Sequence, residues 1–257
     1  MALFGCAFLA LWNDVDADVE AQYERWHTHE HVPERVGIPG FLAGRRYRSD
    51  AAGQPRYFTL YEVTDAAVFD SAAYRDVIDR PTPWSAEMRP RLRNVVRATC
   101  ATMASVSSAL EASSASSASS ASSVGGVAQD GAALACARFS CAPDAQPAAE
   151  ALLAACAALA GVRSVRLGNA LDSVPQAFQQ WSKNAAPTHV LLIEGDDETA
   201  LRAAHSAISA AIATHGHASE AAIIDTYTLA FQIAHAEVDD ALRRAQPPLT
   251  FDAHSGH

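Results

Sequence analysis

Lysine is all but missing from this chain. Lys183 is the only one, so nearly all the positive charge is arginine, and the formal net charge is −10. An acidic chain without a basic face is a poor partner for nucleic acid or an anionic membrane, and neither is expected to bind. Cysteine is sparse and does not pair up. Cys6, Cys100, Cys136, Cys141 and Cys156 form an odd set with no C-x-x-C spacing, each among apolar neighbours. That argues against a disulfide framework and for small, reduced, buried thiols in a cytoplasmic protein. Long apolar runs are lacking too. No stretch approaches the length of a membrane span. The apolar start, Met1 to Trp12, has no basic segment before it and is cut short by Asn13-Asp14, unlike a signal peptide. There is no G-x-G-x-x-G, no G-K-[ST] and no serine elbow, so nothing points to a phosphate loop or a serine hydrolase.

What is present is enough to build a core. The chain has 257 residues, 49% of them hydrophobic, which suits one large domain or two ordinary ones. Leu3 to Trp12 reads as a strand buried on both faces. Asn13, Asp14 and Asp16 then cap a helix from about Val15 to Val32, which Pro33 kinks or ends. After the turn Gly37-Ile38-Pro39-Gly40 come strands at Phe41–Ser49 and Arg56–Val63, a helix near Ala66–Ile78, an irregular proline-rich stretch, and a strand at Asn94–Ser105. The order is βαββαβ. Residues 107–128, mostly Ala and Ser, read as a flexible linker.

The second half repeats the order. Strands are expected at Ala132–Phe139, Gly161–Leu167, His189–Glu194 and Ala221–Ala234, with helices at Ala145–Leu159 and Asp197–Thr214. Two registers support an internal repeat: Tyr57 to Glu62 with His189 to Glu194, and Gly40-Phe41 with Gly161-Val162. An extra loop, Asp172 to Pro187, carries Trp181, and residues 237–257 form a polar, loosely held tail. The expected architecture is α+β: a first ferredoxin-like repeat over 1–106 and a second over 129–236. The two four-stranded sheets would pack face to face within one chain.

The densest chemistry lies in Trp26-His27-Thr28-His29-Glu30-His31-Val32-Pro33, with Pro39-Gly40-Phe41 and Arg46-Tyr47 after it. This pattern resembles the dimeric α/β-barrel (ferredoxin-like) superfamily, in particular its EthD-like relatives. Pro81-Thr82-Pro83-Trp84-Ser85, Met88-Arg89-Pro90 and Arg93-Asn94 resemble a further segment of those relatives. The resemblance covers most of the first half; in the second only the element order persists. It implies a barrel of the kind usually formed between two chains, here fused, with a small-molecule pocket between a sheet and its helices. Members of the superfamily include lactone isomerases, polyketide cyclases, cofactor-free monooxygenases and haem enzymes, besides EthD-like auxiliary proteins without a settled reaction.

The residues themselves allow several uses. Glu30 shares a helical stripe with Val19, Tyr23 and Trp26; burial would raise its pKa into the working range of an acid or base, unless Arg46 or Arg48 pairs with it. His31 aligns with the histidine before Val-Pro in EthD-like sequences and is the expected base, or else it caps a carbonyl freed by Pro33. The first reading is therefore a cofactor-free isomerase, cyclase or monooxygenase for a small aromatic or polyketide-like compound, with His31 and Glu30 catalytic. Trp26, His27, Arg46, Tyr47, Tyr61 and Trp84 would contact the ligand. The second reading is a non-catalytic binding protein using the same pocket. A third makes His27 and His31, four apart on one helix face, metal ligands, although H-E-x-x-H is not met and no third ligand stands out. No cofactor or metal is expected; two fused barrels could pair as a homodimer.

Overall fold

The computed structural model describes residues 5–107, 133–142, 144–171, 187–239 and 241. Most of the expected linker, most of the loop holding Trp181 and all but the start of the tail lie outside the described residues.

The first half runs β1 (Ala7–Val15), α1 (Glu20–Trp26), a π turn (His27–His31), α2 (Val32–Val36), β2 (Phe41–Arg48) and β3 (Tyr57–Val63). It continues through α3 (Ala72–Asp79), α4 (Pro83–Met88) and the long β4 (Leu92–Ser107). The second half runs β5 (Ala133–Phe139), α5 (Ala149–Ala157), β6 (Val162–Ala170), β7 (His189–Gly195), α6 (Glu198–Ala203), α7 (His205–His215) and β8 (Ile223–Ala234).

Three departures from expectation have local causes. The first helix does not end at Pro33. A wide π turn ends where the proline begins, and it absorbs the hydrogen bond that Pro33 cannot donate. The proline-rich stretch holds a helix rather than an irregular segment: Thr82 Oγ1 accepts from Ser85 N at 3.0 Å as an N-cap, and Pro83 fills the first helical position, where its fixed φ fits. The tail is not wholly loose, because Val238 is buried in the core between the first-half strands and their helices.

Every strand pairing among the described residues is antiparallel, and their eight strands close into a barrel in the order β1-β3-β2-β8-β5-β7-β6-β4. The strands of each half are contiguous, and the halves meet at β2–β8 and β4–β6. Side chains alternate along β1. Phe8, Ala10 and Trp12 fill the barrel interior with Phe58, Leu60, Cys100, Cys136, Val190 and Tyr227. Ala7 and Leu9 face outward to the helices. Two ion pairs cross between the halves inside the barrel. Arg166 of β6 holds both carboxylate oxygens of Glu62 at 2.5 Å, and Arg45 of β2 holds Glu194 at 2.6 Å. None of the described helices is long and apolar enough to cross a membrane.

Candidate active-site cavity

A π turn carries one residue more than an α turn, so every later residue shifts by one position around the helix. The stripe facing the sheet is therefore Tyr23, His27, His31 and Arg35, at a spacing of four. It is not the Val19–Tyr23–Trp26–Glu30 stripe that a regular helix would give. The rings stack in sequence: Tyr23 on His27 at 5.0 Å between centroids, His27 on His31 at 4.8 Å with planes 22° apart. Trp26 closes the side of the stack, 4.2 Å from His31.

Opposite this stripe the outward faces of β1, β3 and β4 present Leu9, Leu11, Asn13, Thr59, Tyr61, Val95 and Arg97. Helix α3 contributes Tyr74, and the chain after α4 contributes Arg89 and Leu92. Together they enclose a cavity of about 30 Å³, room for about two water molecules. Leu11, Leu92 and His31 are its half-exposed residues. Arg89 donates to the carbonyls of Ile78 and Val77 at 2.7 and 2.8 Å, closing the end of α3. Arg97 Nη2 lies 3.2 Å from Tyr74 OH. Arg35 Nη1 reaches the carbonyl of His31 at 3.2 Å and Glu34 at 3.3 Å.

Several buried polar atoms around the cavity have no hydrogen-bond partner: Nδ1 of both His27 and His31, Arg35 Nη2, Thr59 Oγ1 and Tyr61 OH. Buried polar groups are normally satisfied, so this concentration marks a place built for something polar to enter. Burial, with Arg46 and Arg35 adding to it, pulls the His27 pKa well below its usual value. Burial also lowers that of His31, reinforced by Arg35, His27, Arg89 and Arg46. Both imidazoles are therefore neutral near pH 7, each with one ring nitrogen whose lone pair can accept a hydrogen bond. Burial raises the Tyr61 phenol, so it stays a donor. His27 is 2% exposed, whereas His31 keeps partial access to solvent. Of the pair, His31 is the one a ligand can reach.

The expected site residues divide. His27, His31 and Tyr61 line the cavity, and Trp26 backs it. Glu30 does not: its Oε1 accepts from Trp26 Nε1 at 3.2 Å, Thr82 Oγ1 at 2.5 Å and Ser85 Oγ at 3.0 Å, which ties the helix to the proline-rich segment. Arg46 lies behind the histidine stack, paired with Glu24 at 2.5 Å and bonded to Thr28, so it neutralises Glu24 rather than Glu30. Tyr47 sits in the barrel interior, on the other side of the sheet. Trp84 packs against the Tyr23, Trp26, Tyr57 and Met88 cluster, outside the cavity lining. Sequence reasoning missed Arg35, Thr59, Arg89 and Arg97. The signal for Arg97 was faint: one arginine inside a strand otherwise read as apolar.

The lining does not suit a metal ion. Two imidazoles are the lining's only good metal ligands, guanidiniums adjoin them, and no group of three metal-ligating side chains exists among the described residues. In the second half the matching face is filled by Leu152, Leu153, Cys156, Ile208 and Ile212.

No family model matches the sequence, and no curated protein matches it. Solved structures do match in fold. One is an anthrone oxidase-like protein, with a TM-score of 0.55 at 10% identity, covering 89% of this chain and 92% of that one. Another, from Fusobacterium nucleatum subsp. nucleatum, is provisionally described as a monooxygenase; it has a TM-score of 0.54 at 10% identity and covers 90% and 96%. A third, with the same provisional description, comes from Lactobacillus acidophilus; it has a TM-score of 0.51 at 11% identity and covers 89% and 96%. The chain thus has the dimeric α/β-barrel fold.

Proposed function

We propose that this chain is a cofactor-independent enzyme that removes a proton from a small acidic compound, an enolisable ketone or phenol of the aromatic or polyketide-like class. The observation carrying this reading is the pair of neutral, stacked imidazoles facing an enclosed cavity in which other polar atoms also lack partners. His31 is the general base, being the accessible member of the pair. His27 holds the ring of His31 in place by stacking. Arg35 Nη2 and Tyr61 OH are free to receive the oxygen on which negative charge develops, and in a dry site such donors act strongly. The resulting carbanion then isomerises, cyclises or adds dioxygen, according to the ligand. In its present closed form the cavity admits the reacting oxygen and its neighbours; a whole ring requires Leu11 and Leu92 to move aside.

The anthrone oxidase-like neighbour suggests the first probe. Hydrogen–deuterium exchange at the acidic methylene of anthrone, monitored by NMR, isolates proton removal from any later step, and oxygen uptake measures the capture of dioxygen by the carbanion. The wild type is expected to accelerate exchange, and His31→Gln to lose that acceleration. An unchanged rate in His31→Gln removes the base from this reading. A non-catalytic binding protein is the second reading, favoured by the small volume of the closed cavity; binding without exchange would establish it.

We also read the chain as a duplicated ferredoxin-like unit, 1–106 and 129–236, joined by the linker 107–128. The exchanged ion pairs support this. The register matching Gly40-Phe41 with Gly161-Val162 aligns Arg45 with Arg166, and the register matching Tyr57 with His189 aligns Glu62 with Glu194. Each arginine reaches across to the glutamate of the other half. A cytoplasmic location and a homodimer of such barrels belong to the same reading.

A further inference from the structure

Leu92, a half-exposed residue of the cavity lining, stands in a short segment pinned at both ends. At one end Arg89 donates to the carbonyls of Val77 and Ile78. At the other, Asn94 takes a left-handed backbone with φ 51°, and its side-chain amide donates to Asp14 Oδ2 at 2.7 Å. The β1–β4 ladder is irregular here: Trp12 pairs with Val96, but the next pairs are Asp14 with Arg93 and Val15 with Leu92. Such a bulge re-aims side chains and detaches the strand end from the regular ladder. Charge grips the detached end. Arg91 pairs with Asp16 at 2.7 Å and Asp18 at 2.5 Å, and Arg93 with Asp16 at 2.8 Å. Leu92 is thus flanked on both sides by an arginine that holds the turn before α1. Arg93 and Asp18 are exposed, Arg91 and Asp16 half-buried; in such places ion pairs are weak and salt screens them.

We propose that residues 90–93 form a salt-sensitive gate on the cavity: Arg91 and Arg93, gripping Asp16 and Asp18, hold Leu92 closed, and loss of that grip lets Leu92 swing out about Asn94. Leu92 is the movable one of the two half-exposed leucines. Leu11 lies mid-strand, paired with Thr59 on one side and Arg97 on the other. Arg93 also donates to the carbonyls of Pro90 and Leu92, so the segment moves as a unit. Arg91 holds the Asp18 carboxyl below its usual range, which keeps the grip charged at neutral pH. As a control on ligand entry the gate rests on the cavity being the active site; as a gate it does not.

The test reads access without any ligand. Diethyl pyrocarbonate acylates neutral imidazoles and is too large for the closed cavity of about 30 Å³. Labelling of His27, a lining residue 2% exposed, therefore reports opening. The full chain is labelled at neutral pH and read by peptide mass spectrometry, with exposed His217 as internal reference. Raising sodium chloride from about 0.01 M to about 1 M cuts the screening length from about 30 Å to about 3 Å. His27 labelling should then quicken about threefold or more, the scale of exposed ion pairs. Arg91→Gln should label at low salt as fast as the wild type does at high salt. Leu92→Ala, which touches no ion pair, should label fast at every salt concentration. Arg163→Gln breaks an exposed pair with Asp196 in the second half and should behave as wild type. Salt-independent labelling of the wild type, an undiminished salt response in Arg91→Gln, a wild-type rate in Leu92→Ala, or equal acceleration in Arg163→Gln each overturns the gate. Proton removal is judged separately. Salt-gated labelling without anthrone exchange defeats the catalytic reading and leaves the gate standing; exchange with salt-independent labelling does the reverse.

Discussion

Glu30 and His31 are neighbours in the chain, yet they serve different sides of the helix. Glu30 fastens the helix to Thr82 and Ser85, and His31 faces the cavity. Substitutions should separate the two. Glu30→Ala strips the shared acceptor from three donors and is expected to cost about 1–3 kcal/mol of stability, read as a lower urea midpoint, with little effect on proton exchange once folded. His31→Gln should reverse the pattern, losing about 10²- to 10⁴-fold in rate at nearly unchanged midpoint.

The two ion pairs inside the barrel differ in burial, and that difference sets their worth. Arg166 and Glu62 are 2% and 0% exposed; Arg45 and Glu194 are 17% and 27% exposed. Glu62→Gln leaves a buried guanidinium poorly answered and should cost about 3–5 kcal/mol. Glu194→Gln, where water screens the pair, should cost about 1 kcal/mol or less. Equal shifts in the two denaturation curves would contradict the assignment.

Acid should weaken the fold through the stacked histidines. Their folded pKa values lie well below 6.5, so below that pH the unfolded chain binds protons that the folded chain refuses. Their contribution is complete above about pH 6.5 and is lost as pH falls toward the folded values, at up to about 1.4 kcal/mol per pH unit for each histidine. Urea midpoints between pH 7.5 and 5 should fall in the wild type and fall less in His27→Gln. A slope that this variant leaves unchanged would assign the acid sensitivity elsewhere.

Thiol reactivity should follow burial. Cys6 is exposed and should react quickly with a disulfide reagent, and half-buried Cys141 more slowly. Cys100 and Cys136 lie inside the barrel with their pKa values raised by desolvation, and burial pushes Cys156 up to about 11. All three should react only after unfolding. Rapid labelling of either barrel thiol would mean that the barrel opens.

Gly44 lets α2 lie close on β2. A Cβ there would stand 2.7 Å from methyl groups of both Val32 and Val36. Gly44→Ala should therefore cost about 1–3 kcal/mol and lift the segment that carries His31 and Arg35. Proton exchange is expected to fall together with stability, although Gly44 is not part of the cavity lining.

Most strands and the element order were legible because alternation and turn chemistry are local signals. The facing of the first helix was not. Whether it presents Glu30 or His31 to the sheet depends on a single π turn, and the pattern of apolar residues before Pro33 fits a regular helix just as well. The helix at Pro83 escaped because its prolines were weighed as breakers, when Thr82-Pro83 is the start of a helix. His27, His31 and Tyr61 were found through residue type. Arg35, Arg89 and Arg97 were not, because a lone arginine gives no sign of burial until distant segments converge on it.

The ring of strands also dictates when the protein can be finished. Of the described strands β8 is made last, and among them it alone bridges β2 and β5. Until it arrives, both of those strands carry a bare flank able to template pairing with other polypeptides. A chain stopped before Ile223 should thus be sticky during synthesis, even with every cavity residue already made.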